Sequence, residues 1–179
     1  LSILLGRSIS GELRCYPPTR NWHRHGILAA SLAPACLADA LAAQARQHAQ
    51  ALAEAIDYVG VLALELFCTR DGSLLANEFA PRVHNSGHWT LEGAACSQFE
   101  NHLRAVLGLP LGSTQARGAA LMANLIGDLP ALDPALAIDG LHWHDYGKQA
   151  RAGRKVGHAT LVQSSRQELS KGLPALLGL

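Results

Sequence analysis

An α+β fold is predicted for this chain of 179 residues by three features: a hairpin signal near its centre, an alanine-rich amphipathic segment before it, and a strand-rich tail punctuated by glycine and proline. Taken in order, Leu1-Ser2-Ile3-Leu4-Leu5-Gly6-Arg7 reads as the interior of a strand, and a turn at Ser10-Gly11-Glu12 leads into a second strand that the Pro17-Pro18 break ends. From Leu37 to Asp57, residues Leu37, Leu41, Ala45, Leu52 and Ile56 fall on one helical face, which predicts a helix packed through that face. A hairpin follows, from Val59-Gly60-Val61-Leu62-Ala63-Leu64-Glu65-Leu66-Phe67-Cys68 to Leu74-Leu75-Ala76-Asn77-Glu78-Phe79, with Asp71-Gly72 as a type I′ turn. Leu91 to Leu107 is predicted as one helix with Ala95, Phe99, Leu103 and Leu107 inward, stopped by Gly108-Leu109-Pro110. Beyond a linker around Leu111 to Gln115, strands are expected at 118–126, 141–146 and 157–162, and Ser165-Arg166-Gln167-Glu168 has the spacing of a capping box opening a last helix. The expected division is 1–112 and a small β-rich domain at 113–179.

Composition bounds the function only broadly. Apolar residues make up 49%, enough for one good core or two small ones, and a net charge of +1 offers no electrostatic footprint for nucleic acid or a membrane surface. No apolar stretch approaches a membrane span, and four widely spaced cysteines without a CxxC pair read as reduced thiols, so the cytoplasm is the expected location.

The chemistry is concentrated in one place. A two-residue turn at Asp71-Gly72 puts Glu65 directly opposite Glu78, where like charges destabilise a strand pair. A cation between them is the economical explanation, and magnesium, hard and oxygen-seeking, is the first candidate, with manganese as a possible substitute. An exposed hairpin face is the competing reading. Directly after comes the polar run Asn77-Glu78-Phe79-Ala80-Pro81-Arg82-Val83-His84-Asn85-Ser86-Gly87-His88, too dense in polar groups for packing. The backbone amides of its end, ahead of a helix near Thr90, are expected to form an anion-binding helix entrance, or else to be ordinarily capped. Zinc is disfavoured: His23/His25, His84/His88 and His142/His144 lack partners at recognised spacing.

This hairpin and run resemble the ATP-grasp enzymes, and within them the 5-(carboxyamino)imidazole ribonucleotide synthase family. Asn21-Trp22-His23-Arg24-His25-Gly26-Ile27-Leu28, Gly108-Leu109-Pro110-Leu111-Gly112, and Tyr146-Gly147-Lys148 with Gly153-Arg154-Lys155-Val156-Gly157-His158 fit the same family in the same order. The resemblance implies the C-terminal half of such an enzyme: the C-terminal part of an ATP-grasp domain, an antiparallel sheet with helices, then a small β-rich domain. It implies magnesium on Glu65 and Glu78, ATP contacts from His23, Asn77 and Glu78, and catalytic roles for Arg82, His84 and Asn85 around bicarbonate and the amine. Lys148, with Arg154 or Lys155, is implied to bind the ribonucleotide 5′-phosphate. The implied reaction is carboxylation of 5-aminoimidazole ribonucleotide with ATP and bicarbonate, through carboxyphosphate, in purine biosynthesis, by an enzyme that is a homodimer when full-length. The fragment alone is expected to be inactive. Two departures stand out: Ala80 occupies a position where many ATP-grasp enzymes have Asn, and the loop between Lys148 and Arg154 is a residue shorter than in relatives. A different ATP-grasp carboxylase or ligase, and a non-catalytic nucleotide-binding remnant, are the alternatives.

Overall fold

The computed structural model describes the backbone of residues 1–177 and the side chains of residues 1–172. Two antiparallel sheets organise it. The first has the order β2-β1-β5-β6, from β1 (Ser2–Arg7), β2 (Leu13–Cys15), β5 (Gly60–Cys68) and β6 (Leu74–Ala80). The second has the order β3-β4-β7-β9-β8, from β3 (Arg20–Arg24), β4 (Ile27–Ala33), β7 (Ala119–Ile126), β8 (Leu141–Asp145) and β9 (Lys155–Gln163). No helix among the described residues is long and apolar enough to cross a membrane.

The unbroken apolar run at the start of the chain makes sense because β1 is covered on both faces. Ile3 and Leu5 pack with Leu62, Leu64 and Leu66 under helix α1 (Asp39–Ala55), while Leu4 and Ala63 face Tyr16, Trp89 and Met122 on the other side. The helix is where it was expected, and its inward face is met in part: Ala45 is fully buried and Leu52 packs against the core. Ala42, Ala45, Ala49 and Ala53 are buried, whereas Ile56 is exposed. Alanine lets the helix backbone approach the sheet closely, so the small side chains take the contact and the larger ones are displaced to its margins.

The second predicted helix is two. α2 (Thr90–Gly93) ends where Ala94 bridges to Ala116, and α3 (Gln98–Val106) starts afresh from Ser97, whose hydroxyl accepts from the Glu100 amide at 3.1 Å. Its inward face is largely polar. Gln98 and Asn101 are fully buried, whereas Leu103 and Leu107 are 58% and 68% exposed. Asn101 earns its burial by donating to the Tyr16 hydroxyl at 2.8 Å and accepting from the Gly112 amide at 2.8 Å.

The central hairpin reaches the expected pairing by an unexpected route. Its tip is the three-residue loop Arg70-Asp71-Gly72, closed by Thr69 N–H to Ser73 O at 3.0 Å, with Gly72 alone at positive φ (+85°). That loop pairs Phe67 with Leu75 and Cys68 with Leu74, a register that continued unchanged would put Glu65 opposite Asn77. A bulge between Glu65 and Leu66 inserts Asn77 as an extra residue and restores Glu65 opposite Glu78. The type I′ geometry expected at Asp71-Gly72 belongs instead to His25-Gly26, with φ of 50° and 75°, which closes the unpredicted hairpin β3-β4. α4 (Leu132–Leu136) was also unpredicted, and α5 (Arg166–Leu177) opens as expected with Glu168 N–H on the Ser165 hydroxyl at 3.2 Å.

Candidate active site

Glu65 lies in the middle of β5, almost fully buried, and takes hydrogen bonds from Asn21 Nδ2 at 3.2 Å and Asn77 Nδ2 at 3.4 Å. The bulge explains the second contact, because without the extra residue the side chains of Asn77 and Glu78 would alternate across the sheet. Glu78 is mostly exposed. His84 joins the pair, with Nε2 3.6 Å from Glu78 Oε1 and Nδ1 3.9 Å from Glu65 Oε1; one ligand atom from each of the three lies within 4.8 Å of the others. His23 Nε2 stands 3.9 Å from Glu65 Oε2. Among the described residues no lysine or arginine forms an ion pair with either carboxylate. Two facing carboxylates whose only ion-pair partners among the described residues are imidazoles fit a divalent cation, and their hard oxygen donors fit magnesium.

His84 is held from behind. The Gln98 side chain accepts from the His84 amide at 2.9 Å and donates to its carbonyl at 2.8 Å. The Ser2 hydroxyl donates to that of Ser86, which lies 2.8 Å from His84 Nδ1, and the Ser86 amide also points at Nδ1. Nδ1 is therefore the acceptor, and Nε2–H faces Glu78. Burial lowers the His84 pKa, against the opposing pull of Glu65. The expected anion-binding entrance does not form: Ser86 and Gly87 are buried, and the amides of Ser86, Gly87 and His88 go to His84 Nδ1, His84 O and Asn85 O in a 3₁₀ turn.

Asn85 forms a reciprocal amide pair with Asn124 of β7, at 2.9 and 2.6 Å, and Asn124 also donates to the Leu28 carbonyl at 2.9 Å. Arg82 is exposed and donates to the adjacent Val83 carbonyl. The remaining candidates come together across a cleft of about 390 Å³. His23, Glu65, Glu78 and His84 line one part of it, Lys148, Arg154 and Lys155 another, and the β3-β4 hairpin contributes Gly26, Ile27 and Leu28. Burial lowers the Lys155 pKa, opposed by Glu65 and Glu78. Carboxylates and cationic side chains lining one cleft can hold a metal-bound polyanion beside a second phosphate.

Residues 1–99 match the ATP-grasp domain family. The chain belongs to the ATP-grasp family. Residues 120–172 of this ATP-grasp chain also match the phosphoribosylaminoimidazole carboxylase C-terminal domain. It is 52% identical to the N5-carboxyaminoimidazole ribonucleotide synthase of Pseudomonas aeruginosa over 169 residues, 94% of this chain and 46% of that protein. The N5-carboxyaminoimidazole ribonucleotide synthetase of Thermus thermophilus superposes with a TM-score of 0.94 at 55% identity, over 98% of this chain and 49% of that one. The synthase of Aspergillus clavatus, solved with ADP and 5-aminoimidazole ribonucleotide, gives a TM-score of 0.89 at 34% identity, over 98% of this chain and 50% of that one. The ATP-grasp chain thus spans about half the length of the curated relatives it matches.

Sequence reasoning missed Asn124 and Gln98 in this candidate site. Asn124 had a signal, being the single polar residue in the apolar run Ala119–Ile126. It also missed a buried histidine cluster beside the cleft. His158 is 2% exposed and stacks on His144 at 4.3 Å, and His88 lies 5.2 Å from it. Burial drives the pKa of His158 down to about 3 and that of His88 to about 4. Both lie below the ordinary 6.5, so below that pH the unfolded chain binds protons that the folded chain refuses. Stability is expected to be full above pH 6.5 and to fall as the pH drops towards 4, by up to about 2.7 kcal/mol per pH unit when both rings contribute. Urea melts at pH 7, 6 and 5 check this, and His158→Gln should flatten the slope; equal midpoints at all three pH values would contradict it.

Proposed function

We propose that this chain forms the C-terminal half of an ATP- and bicarbonate-dependent carboxylase that converts 5-aminoimidazole ribonucleotide to its N-carboxy derivative. The observation that carries the reading is the single cleft that Glu65, Glu78, His23 and His84 line together with Lys148, Arg154 and Lys155. In this reading residues 1–112 are the C-terminal part of the ATP-grasp domain and residues 113–179 the small domain that carries the phosphate clamp.

Glu65 and Glu78 would hold magnesium, whose charge, when bound, offsets that of the ATP phosphates during phosphoryl transfer. Asn77 and Asn21 keep Glu65 aimed, and His23 borders the nucleotide. Bicarbonate takes the γ-phosphoryl group, releasing ADP and forming carboxyphosphate. The exocyclic amine then attacks its carbon, and phosphate leaves with the amine proton. Arg82 offers a planar fork to the planar oxyanion. His84, neutral through burial, donates from Nε2–H to a carboxylate oxygen of the intermediate, and Asn85, fixed by Asn124, borders the amine. Lys148, with Arg154 and Lys155, receives the ribonucleotide phosphate, which both ends of the clamp can approach because Gly153 opens the loop between them. No side chain acts as a covalent nucleophile, and rate comes from positioning. We infer a cytoplasmic enzyme from the free thiols of Cys15, Cys36, Cys68 and Cys96, a homodimer when full-length, with small-molecule substrates and neither nucleic-acid nor membrane partners.

The test is ADP release by the full-length protein, with magnesium and bicarbonate, with and without the ribonucleotide. Stimulation by the ribonucleotide is expected, and Lys148→Ala should raise its KM about tenfold with little change in that of ATP. ADP release indifferent to the ribonucleotide would remove this substrate and direct attention to a different acid and amine.

A further inference from the structure

We infer that Tyr146 is a positioning residue of the phosphate clamp: held by the buried His158, its ring carries the ammonium of Lys148 and presents it to the anionic ligand of the cleft. The inference rests on the reading of Lys148 as a phosphate ligand, and it assigns a purpose to the histidine cluster that the reaction itself does not use.

Lys148 is exposed and sits on the loop between β8 and β9, where a lysine side chain ordinarily samples many rotamers. Here its Nζ lies 4.8 Å from the centre of the Tyr146 ring, within reach of a cation–π contact. Tyr146 is held at its ring and at its backbone. The Tyr146 hydroxyl shares a 2.8 Å hydrogen bond with His158 Nδ1, and the Tyr146 amide donates to the Val156 carbonyl at 2.9 Å. His158 in turn is enclosed, at 2% exposure. It stacks within 10° of parallel on His144, whose Nε2 is 2.7 Å from Glu92 Oε1, and Gln98 Nε2, besides clasping His84, reaches His88 Nδ1 at 2.9 Å. The base of the loop is tied as well, by Arg151 N–H to Gly127 O at 3.0 Å and Gly127 N–H to Arg154 O at 2.8 Å. A rigid ring on a rigid stack thus holds the one part of the clamp that the loop alone would leave free. Ordering the ammonium before the ligand arrives reduces the entropy lost on binding.

The full-length protein serves for the test, with two readouts and three variants: Tyr146→Leu, which removes the ring; Tyr146→Phe, which keeps the ring and removes its anchor; and Lys148→Met. Calorimetric binding of ribose 5-phosphate reads the clamp without turnover. Tyr146→Leu is expected to weaken it about fivefold and Tyr146→Phe about twofold, with the KM for the ribonucleotide rising in parallel and kcat and the KM for ATP unchanged. In the Lys148→Met background, Tyr146→Leu should have no further effect. Additive losses in the double variant, or equal changes in the KM for ATP, would overturn the inference while leaving the carboxylase reading intact. Wild-type protein that binds ribose 5-phosphate yet is indifferent to the ribonucleotide would remove the carboxylase reading alone. If the wild type fails to bind ribose 5-phosphate, there is no clamp and the inference falls.

Discussion

Glu78→Gln is expected to lower magnesium-dependent ADP release of the full-length protein about a hundredfold to a thousandfold, the scale of removing one electrostatic contact to a charged transition state, while leaving the metal-free fold as stable as before or slightly more so. The two effects have opposite signs for one reason. Glu78 is 61% exposed and faces Glu65 across the strand pair, so in the absence of metal its charge is a liability to the sheet. Glutamine keeps the shape and removes the repulsion, which should stabilise by less than about 1 kcal/mol. The same substitution takes away one of the two carboxylates that would hold magnesium. A coupled ADP assay and a thermal melt in chelator, run on the same preparation, check both halves. A melting temperature that falls together with activity would make Glu78 a structural residue, and full activity in the variant would end the metal assignment.

Gly87→Ala is expected to be severely destabilising for a single added methyl group, costing about 3–5 kcal/mol. A Cβ on Gly87 would stand 2.1 Å from Leu4 Cδ2 and 2.6 Å from Gln98 Oε1. Neither neighbour can give way cheaply. Leu4 is fully buried between the sheet and Trp89, and Gln98, also fully buried, satisfies both backbone groups of His84. Displacing Gln98 strands those groups in the interior, which adds to the overpacking. At about 2–4 °C per kcal/mol for a chain of this size, the melting temperature should drop by roughly 10 °C. Scanning calorimetry measures it, and Gly87→Ala with Leu4→Ala should lose less than the sum of the two single variants, because the second substitution makes the room the first requires. A drop below 2–3 °C for Gly87→Ala would show that this corner of the core is softer than its packing indicates.

The strands of the first sheet and of the tail were legible because their apolar runs are bounded by glycine and proline. The opposition of Glu65 and Glu78 was anticipated from a turn that does not exist: Asp71 keeps negative φ, the loop takes a third residue, and the bulge at Asn77 cancels the resulting slip. Turn type and bulge compensate, and neither is visible in a pattern of alternating residues. Hydrophobic periodicity found the face of α1 only in part and missed that of α3, for a related reason. It counts leucines, whereas α1 packs through alanines and α3 through Gln98 and Asn101, whose burial depends on partners distant in sequence. The motifs of the site were readable one by one. Their convergence on a single cleft was not, since it depends on β4 pairing with β7.

That pairing also bears on how such proteins can be recombined. The chain passes from one matched family segment to the next between residues 99 and 120, yet β4 and β7 lie edge to edge in one sheet across that passage. Backbone pairing is indifferent to which relative supplies each strand, so a crossover at the linker would preserve the sheet. The Asn85–Asn124 clasp is not indifferent, because each amide completes the other. The two asparagines therefore form a compatibility lock, and the two matched segments are to be inherited or exchanged as a matched set at these two positions.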